Sequence, residues 1–449
     1  MTRLQGTASS AVLEQPGNLG QQSRLSLDRP ASSALDTVPV SMSLVAFKDD
    51  MQIAFVFDNY VWSSYAMPWL QLAAQGKLGS LSHETCHAFS QSVFGKRHAL
   101  SDIEISGAMQ HGRALSRLRS GLCSESTAGL AALLVPILIF LMHSSSTSSR
   151  EASEMHIMGL FKLLQICGPE AFQHEPLRAA FSSCRATLVT VSLLTKRRLF
   201  LEQEEWRTVP WRSDPSEQGA QDQLVDILVK VPGFLEEKGH APDVMSSIAR
   251  ADLLDRIAYQ IELLFLWRWD WATRHPTAAW EEERQVLRKP DEHFSGPDET
   301  RRLLRFASFE RAVEISLYNA CLLTLLGGDL LDSLASETEA RSIIDRARAR
   351  AKASAGGVLY EDEALLLPDG PVALRSLAIE IVRAFEYQLL HVRHSRTSAL
   401  FWLFPLGLAR KVLGGELEWN EWICRMLNTS RVTRGYGSGT NPFGFGFYM

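Results

Sequence analysis

The sequence lacks clustered cysteines. It has six, no two of which form a Cys-x-x-Cys pair: Cys86, Cys123, Cys167, Cys184, Cys321 and Cys424. Such wide spacing excludes both the disulfide framework of small secreted domains and a compact cysteine zinc site. The first residues also contain no apolar stretch of signal-peptide type. We therefore expect a reducing compartment for this chain.

Long apolar runs and an excess of one charge are also scarce. The run at 128–142, AGLAALLVPILIFLM, is shorter than the ~20 residues of a membrane-spanning helix, and Pro136 interrupts it. It predicts a buried core helix and no contact with a membrane. The formal net charge of -5 gives no general attraction to phosphate, so contact with nucleic acid would need a local basic patch.

Alternating strand patterns are nearly absent, whereas helical spacing is frequent. Leu254, Ile257, Ile261 and Leu264 follow one another at three and four residues, and residues 374–389 repeat this spacing. The same pattern predicts further helices over 83–94, 101–119, 125–142, 151–167, 176–203, 299–326 and 334–352. We predict an all-α fold, an array of antiparallel packed helices with under about a tenth of the residues in strands.

Composition divides the chain in two. Residues 1–45 are rich in serine, glutamine, glycine and proline without apolar periodicity, which predicts a disordered leader. Residues 46–449 are predicted to form an α-helical domain. Proline and glycine cluster near 212–220 and 354–371, where seams within that domain are expected.

One motif matches a catalytic pattern. The run His83-Glu84-Thr85-Cys86-His87 is an H-E-x-x-H sequence, which on a helix places two imidazoles four residues apart on one face. In zinc metallopeptidases such a pair binds Zn²⁺, and the glutamate activates a water molecule. A zinc metallopeptidase that uses His83, Glu84 and His87 is therefore one alternative function.

The surroundings of this motif disfavour a zinc site. The longer metallopeptidase motif needs a glycine and a third histidine where this chain has Ser90 and Val93. Glu104 is the remaining candidate for a third ligand, but it lies beyond a break in the helix. We therefore predict less than stoichiometric zinc, and a helix whose Phe89, Val93 and Phe94 face the core.

The remaining motifs favour structural roles. Asp49-Asp50 is interpreted as a solvated turn, and the run 267–271, with three tryptophans, as helix packing in the core. The basic clusters at 196–198 and 341–352 are interpreted as solvated helix faces. We predict that the protein is not an enzyme and has no catalytic residue, cofactor or resident metal.

Several segments together resemble the helical regulatory region of fungal zinc-cluster transcription factors. They span residues from about 50 to the end: 55–72, Val93-Phe94-Gly95, 111–115, His156 with Gly159 and Leu163-Leu164, 167–172, Trp206 to Trp211, and Arg434-Gly435-Tyr436. We expect these positions to be structural. Gly159 would permit close approach of a neighbouring backbone, and Trp206 and Trp211 would hold the following connection against the helices.

The resemblance implies a transcription regulator that controls a metabolic or secondary-metabolite gene cluster. Its expected location is the nucleus, and shuttling between nucleus and cytoplasm is compatible with this function. Its partners would be other transcription regulators or coregulators, and a homodimer is compatible with this function. The family's DNA-binding head holds six closely spaced cysteines, whereas residues 1–85 here contain none. We therefore expect DNA contact to be weak or indirect. An accessory scaffold protein in a biosynthetic pathway is the third alternative.

Overall fold

The computed structural model describes residues 48–60, 67–123, 127–147, 150–240, 246–284, 296–356, 364–395 and 403–429. All of them belong to one compact unit, Phe47–Met449. Helices dominate these residues, so the all-α prediction is confirmed. The predicted leader at 1–45 and the segment Arg434-Gly435-Tyr436 lie outside the described residues, and the two expected seams stay predictions.

The first half of the chain contains nine helices among the described residues. They are α1 (Lys48–Tyr60), α2 (Met67–Ala74), α3 (Ser80–His98), α4 (Ser101–Gly121), α5 (Thr127–Ala131), α6 (Leu134–Thr147), α7 (Arg150–Cys167), α8 (Leu177–Thr195) and α9 (Glu204–Thr208).

The second half adds nine more helices and a pair of strands, again among the described residues. They are α10 (Ala220–Leu228), α11 (Val231–His240), α12 (Ser247–Arg274), β1 (Ala279–Glu283), β2 (Arg302–Phe306), α13 (Phe309–Leu326), α14 (Leu331–Leu334), α15 (Glu337–Ser354), α16 (Leu374–Ser395), α17 (Leu403–Leu413) and α18 (Leu417–Thr429).

The predicted helix over 299–326 is wrong at its start, because β2 occupies its first part. β1 and β2 pair in antiparallel register, with Glu282 opposite Leu303. Arg305 and Glu282 form a salt bridge of 2.6 Å across the two strands. Cross-strand pairs of this kind stabilise a hairpin, and they depend on residues more than twenty positions apart that a local window does not include.

The apolar run at 128–142 is a core element, as predicted, but it is broken. α5 and α6 divide it, and Pro136 lies in the first turn of α6, where its missing N–H removes no helical hydrogen bond. Residues 133–141 are buried throughout. The segment Phe309–Leu334 also has the length and hydropathy of a membrane span, and 72% of its apolar window is buried within the protein, as in a core helix.

The close contact between α3 and α4 depends on two glycines. A Cβ atom on Gly95 would lie 2.4 Å from the backbone nitrogen of Glu104, and one on Gly107 would lie 2.5 Å from that of Ser92. Real Cβ atoms do not approach backbone so closely, so any other residue would push the helices apart. The glycine of the Val93-Phe94-Gly95 segment therefore has a packing role.

The helices of the second half meet through buried tryptophans and polar pairs. Trp267, Trp269 and Trp271 are all buried, which confirms the core interpretation of this run. The indole nitrogen of Trp271 donates to a carboxylate oxygen of Glu314 at 2.7 Å, which links α12 to α13. Buried indole N–H groups need such partners, and this requirement fixes the rotation of one helix against the other.

A buried arginine joins α8 to α10. The side chain of Arg185 is completely buried, forms a salt bridge to Asp222 at 3.2 Å and contacts Asp226. Its guanidinium carbon lies 4.8 Å from the centre of the Trp211 ring. Trp206 is buried beside Phe181. The two tryptophans therefore hold the connection after α9 against the helices, as predicted.

Candidate functional site

The H-E-x-x-H motif lies in the first turns of α3. The imidazoles of His83 and His87 share one face, and their Nε2 atoms are 3.0 Å apart. Their ring centres are 4.3 Å apart. Four residues make slightly more than one helical turn, so this proximity follows directly from the sequence spacing.

Glu84 is engaged elsewhere. Its carboxylate forms a salt bridge with the guanidinium of Arg117 on α4. Arg117 also donates to the hydroxyl oxygen of Ser80 at 2.9 Å. A carboxylate held by an arginine on a neighbouring helix is poorly placed to take a proton from a water between the two imidazoles. This arrangement disfavours the metallopeptidase alternative.

Glu104 does not complete a zinc site. α3 and α4 run antiparallel, and the backbone of Glu104 lies against Gly95, twelve residues along α3 from His83. Twelve residues of α-helix span about 18 Å, much more than the reach of one glutamate side chain. Within the described ranges, no group of three or more histidine, cysteine, aspartate or glutamate side chains is arranged to hold a metal ion.

Two carboxylates from α1 lie within electrostatic reach of the histidine pair. Burial lowers the pKa of His87, repulsion from His83 lowers it further, and Asp49 and Asp50 raise it. The sequence alone indicates only a solvated turn at Asp49-Asp50. Their position near His87 depends on the packing of α1 against α3, which no local motif indicates.

A second histidine cluster joins α4, α6 and α7. The rings of His111 and His143 stack with centres 4.1 Å apart, and His111 and His156 both contact Phe140. Burial lowers the pKa of all three imidazoles and takes that of His143 to about 3. At neutral pH these rings are uncharged aromatic packing groups. His111 and His156 each open one of the segments that carry the family resemblance.

The basic cluster at 196–198 is neutralised by nearby carboxylates. Lys196 lies 3.5 Å from Asp329, and Arg197 lies 3.2 Å from Glu236. Arg198 forms a salt bridge with Glu202. The field that these cations would present to a phosphate is therefore largely cancelled at the surface.

The basic helix α15 is compensated in the same way. Four of its five cations pair with acids on their own helix and on other elements: Arg341 with Glu337, Arg348 with Asp345, Arg350 with Glu262 and Lys352 with Asp369. The fifth, Arg346, donates to the hydroxyl oxygen of Ser342 at 2.7 Å. Phosphate binding here would have to break several of these pairs. The arrangement agrees with the solvated-face interpretation of this segment.

The buried thiols of the chain are poor ligands and nucleophiles. All six cysteines are free, and Cys86, Cys167, Cys184 and Cys321 are buried. Burial raises the pKa of Cys86 and of Cys184 to about 12. Because the thiolate is the reactive and metal-binding form, these side chains act as small apolar groups at neutral pH.

Several positions in the segments behind the family resemblance belong to the core. Leu163, Leu164 and Phe172 are buried. Gly159 differs from the expectation, because nothing lies within 4 Å of the position that its Cβ would occupy. The close backbone approach expected at Gly159 is wrong, since that side of α7 faces open space.

The chain is similar to a protein of Emericella nidulans named "Uncharacterized protein AN5342", with 26% identity over 184 residues. The similarity covers 38% of this chain and 39% of that protein. The chain therefore matches about two fifths of the length of this relative. No family model matches the chain, and no solved structure matches it.

Proposed function

We propose that this protein is a non-enzymatic transcription regulator whose helical body corresponds to the effector region of fungal zinc-cluster transcription factors. It acts in the nucleus through partner proteins that are themselves regulators or coregulators. Its targets are metabolic or secondary-metabolite genes, a class that rests on the family resemblance. The support comes from an apolar surface on the helices that carry His111 and His156.

That surface consists of large apolar side chains on two helices. Ile105 and Met109 on α4 are 58% and 56% exposed, and Met155, Met158 and Ile166 on α7 are 59% to 67% exposed. We refer to these five residues as the α4/α7 apolar face. Exposed methionine is typical of surfaces that accept partner helices, because its flexible thioether adapts to different shapes.

The two helices flank the same part of α6. His111 on α4 and His156 on α7 both pack on the ring of Phe140. Met155 directly precedes His156, and Met109 lies two residues before His111. Met155 is therefore adjacent in the chain to one histidine of the cluster, whereas Met109 and His111, two residues apart on a helix, point to different sides of α4.

DNA contact is assigned to the partners. The clusters at 196–198 and 341–352 are paired with carboxylates, so the strongest basic segments offer little free charge. Phosphate contacts position a protein but do not specify a sequence. The pure chain is expected to bind duplex DNA only at the weak non-specific level of about 10⁻⁴–10⁻⁶ M at physiological salt.

A tethering experiment tests the proposal. The full chain is fused to an unrelated DNA-binding domain, and reporter output and cellular location are measured in a filamentous fungus. The wild type should accumulate in the nucleus and change reporter output. A chain that stays outside the nucleus and leaves the reporter unchanged would instead favour the accessory scaffold.

Paired variants test the surface itself. Met155→Glu combined with Met158→Glu places two charges on the α4/α7 apolar face and should bring reporter output close to that of the DNA-binding domain alone. Ile248→Glu is the matched control, because Ile248 is 81% exposed on α12, outside this surface. Equal loss in both variants, or no loss in either, would contradict the assignment to this face.

A further inference from the structure

The exposed side of α7 carries a symmetric pattern of four side chains. Glu151 lies four residues before Met155, and Lys162 lies four residues after Met158. The two methionines are three residues apart, so all four side chains follow one stripe along the helix. All four are exposed. We refer to these four residues as the α7 stripe, which has an acidic end, an apolar middle and a basic end.

We propose that two copies of this chain associate through the α7 stripe, with their α7 helices antiparallel about a two-fold axis between Met155 and Met158. In a two-fold interface, residue i contacts residue j of the other copy, and j contacts i. Met155 of each copy then faces Met158 of the other. Glu151 of each copy faces Lys162 of the other. This dimer goes beyond the proposed function and does not depend on a role in transcription.

The charges of the stripe favour a second copy in this orientation. Neither Glu151 nor Lys162 pairs with an opposite charge in the part of the chain that the structure describes. Eleven residues of helix separate the two by about 17 Å, so they cannot pair with each other. A parallel second copy would place like charges together. An antiparallel copy places each charge opposite its counterion, at both ends of the methionine pair.

The middle of the stripe suits helix packing. Steps of three and four residues are those of the seam between two coiled helices. Methionine fills such a seam easily because its side chain is flexible. Gly159 lies beside the stripe, and nothing occupies the space within 4 Å of its Cβ position, which leaves room for a neighbouring helix. Four side chains cover less than the ~800 Å² that each partner of a stable complex buries, so we expect a weak dimer with a micromolar dissociation constant.

Sedimentation velocity of the full chain tests the dimer. The wild type should shift from monomer to dimer as its concentration rises through the micromolar range. Met155→Glu combined with Met158→Glu should remain monomeric, and Ile248→Glu on α12 should dimerise like the wild type. A wild type that stays monomeric over the whole range would refute the proposal, as would equal dimerisation of the double variant.

Charge reversal tests the orientation. Glu151→Lys and Lys162→Glu each create two contacts between like charges in the dimer and should weaken association about tenfold or more. The double variant with both changes restores two attractive pairs and should dimerise like the wild type. Asp255→Lys reverses an exposed charge on α12 and should leave association unchanged. Unchanged association in both single variants would contradict the antiparallel pairing.

A mixture of the two single variants is the sharpest test. The Glu151→Lys chain has two cations on its stripe, and the Lys162→Glu chain has two anions. An antiparallel heterodimer pairs every cation with an anion, so the equimolar mixture should associate at concentrations where either variant alone is monomeric. Mixing cannot repair a folding defect, and circular dichroism of each variant checks its helix content. A mixture that stays monomeric would refute the proposed register.

Reporter output separates this dimer from the proposed function. A monomeric wild type whose tethered reporter output still depends on Met155 and Met158 would refute the dimer and leave the proposed function intact. A dimer that forms in solution, joined with failure of the tethering experiment, would support the dimer and refute the proposed function.

Discussion

Two regions of this protein bury basic side chains in opposite ways. Between α8 and α10, Arg185 is completely buried and lies between the carboxylates of Asp222 and Asp226. Between α4, α6 and α7, His143 is buried beside His111 and His156. Burial is the main cause that lowers the pKa of His143, and repulsion from His111, His156 and Lys96 opposes a positive charge on the ring further.

The difference follows from the chemistry of the two side chains. A guanidinium does not lose its proton at any pH that a protein experiences, so its burial requires carboxylate partners. An imidazole can release its proton, so it can be buried among other imidazoles as a neutral ring. The arginine region should therefore depend on its partners, and the histidine region on pH.

Arg185→Ala should have the largest effect on stability. It leaves two buried carboxylates without their cation, and breaking a buried ion pair in this way costs about 3–5 kcal/mol in the free energy of unfolding. Urea denaturation followed by circular dichroism measures the change. Arg197→Ala is the control, because Arg197 is 73% exposed in its salt bridge with Glu236 and should change stability by about 0–1 kcal/mol.

A triple variant sharpens this prediction. Arg185→Ala combined with Asp222→Asn and Asp226→Asn removes the uncompensated charges and should regain part of the lost stability. If the triple variant is less stable than Arg185→Ala alone, the carboxylates stabilise the fold through contacts other than the arginine. The arginine region would then not depend on this charge pairing.

Gly107→Ala should have the next largest effect. Its Cβ would lie 2.5 Å from the backbone nitrogen of Ser92, so α3 and α4 would have to separate. Overpacking of this kind costs about 1–3 kcal/mol, with a contact to backbone at the upper end. Gly112→Ala on the same helix is the control, because nothing lies near its Cβ position. Similar urea midpoints for the two variants would contradict the tight α3–α4 contact.

Acid should destabilise the histidine region. The pKa of His143 falls from its ordinary 6.5 to about 3 in the folded chain. Below pH 6.5 the unfolded chain therefore binds more protons than the folded chain. The stability from the neutral ring is complete above that pH and is lost progressively toward pH 3. At 1.36 kcal/mol per pKa unit, His143 alone should cost about 2 kcal/mol between pH 6.5 and pH 5.

His143→Phe isolates this contribution. Phenylalanine keeps an aromatic ring beside His111 and Phe89 but cannot bind a proton. The slope of unfolding free energy against pH should become flatter in this variant, and urea titrations at several pH values measure it. An unchanged slope in His143→Phe would mean that the ring does not titrate with unfolding.

The all-α class and much of the core were predictable from sequence because the signals are local. Apolar residues at three and four positions located α12 and α16, and the tryptophans at 267–271 lie in the core as expected. A local signal also sets the start of α15, because the hydroxyl oxygen of Ser336 accepts a hydrogen bond from the backbone N–H of Glu339 at 3.3 Å.

The missed features depend on residues far apart in the chain. The pairing of β1 with β2 was not predicted, because each strand is short and its partner is remote. The contact of His143 with His111 and the position of Asp49 and Asp50 near His87 likewise require the packing of separate helices. The resemblance segments contained His111 and His156 but gave no sign that His143 joins them.

The smallest expected effect concerns Gly159, on the open side of the histidine region. Nothing lies near its Cβ position, so an alanine would fit without strain and would favour the helix by about 0.5–1 kcal/mol. Gly159→Ala should therefore raise the urea midpoint, opposite in sign to Gly107→Ala.

Because Gly159 adjoins Met158 on the α4/α7 apolar face, the methyl group of Gly159→Ala should also protrude into a docked partner. A variant that is more stable in urea but less active in the tethered reporter would indicate that Gly159 serves partner contact at the expense of helix stability. A decrease in the free energy of unfolding would contradict the open space beside Gly159 on α7.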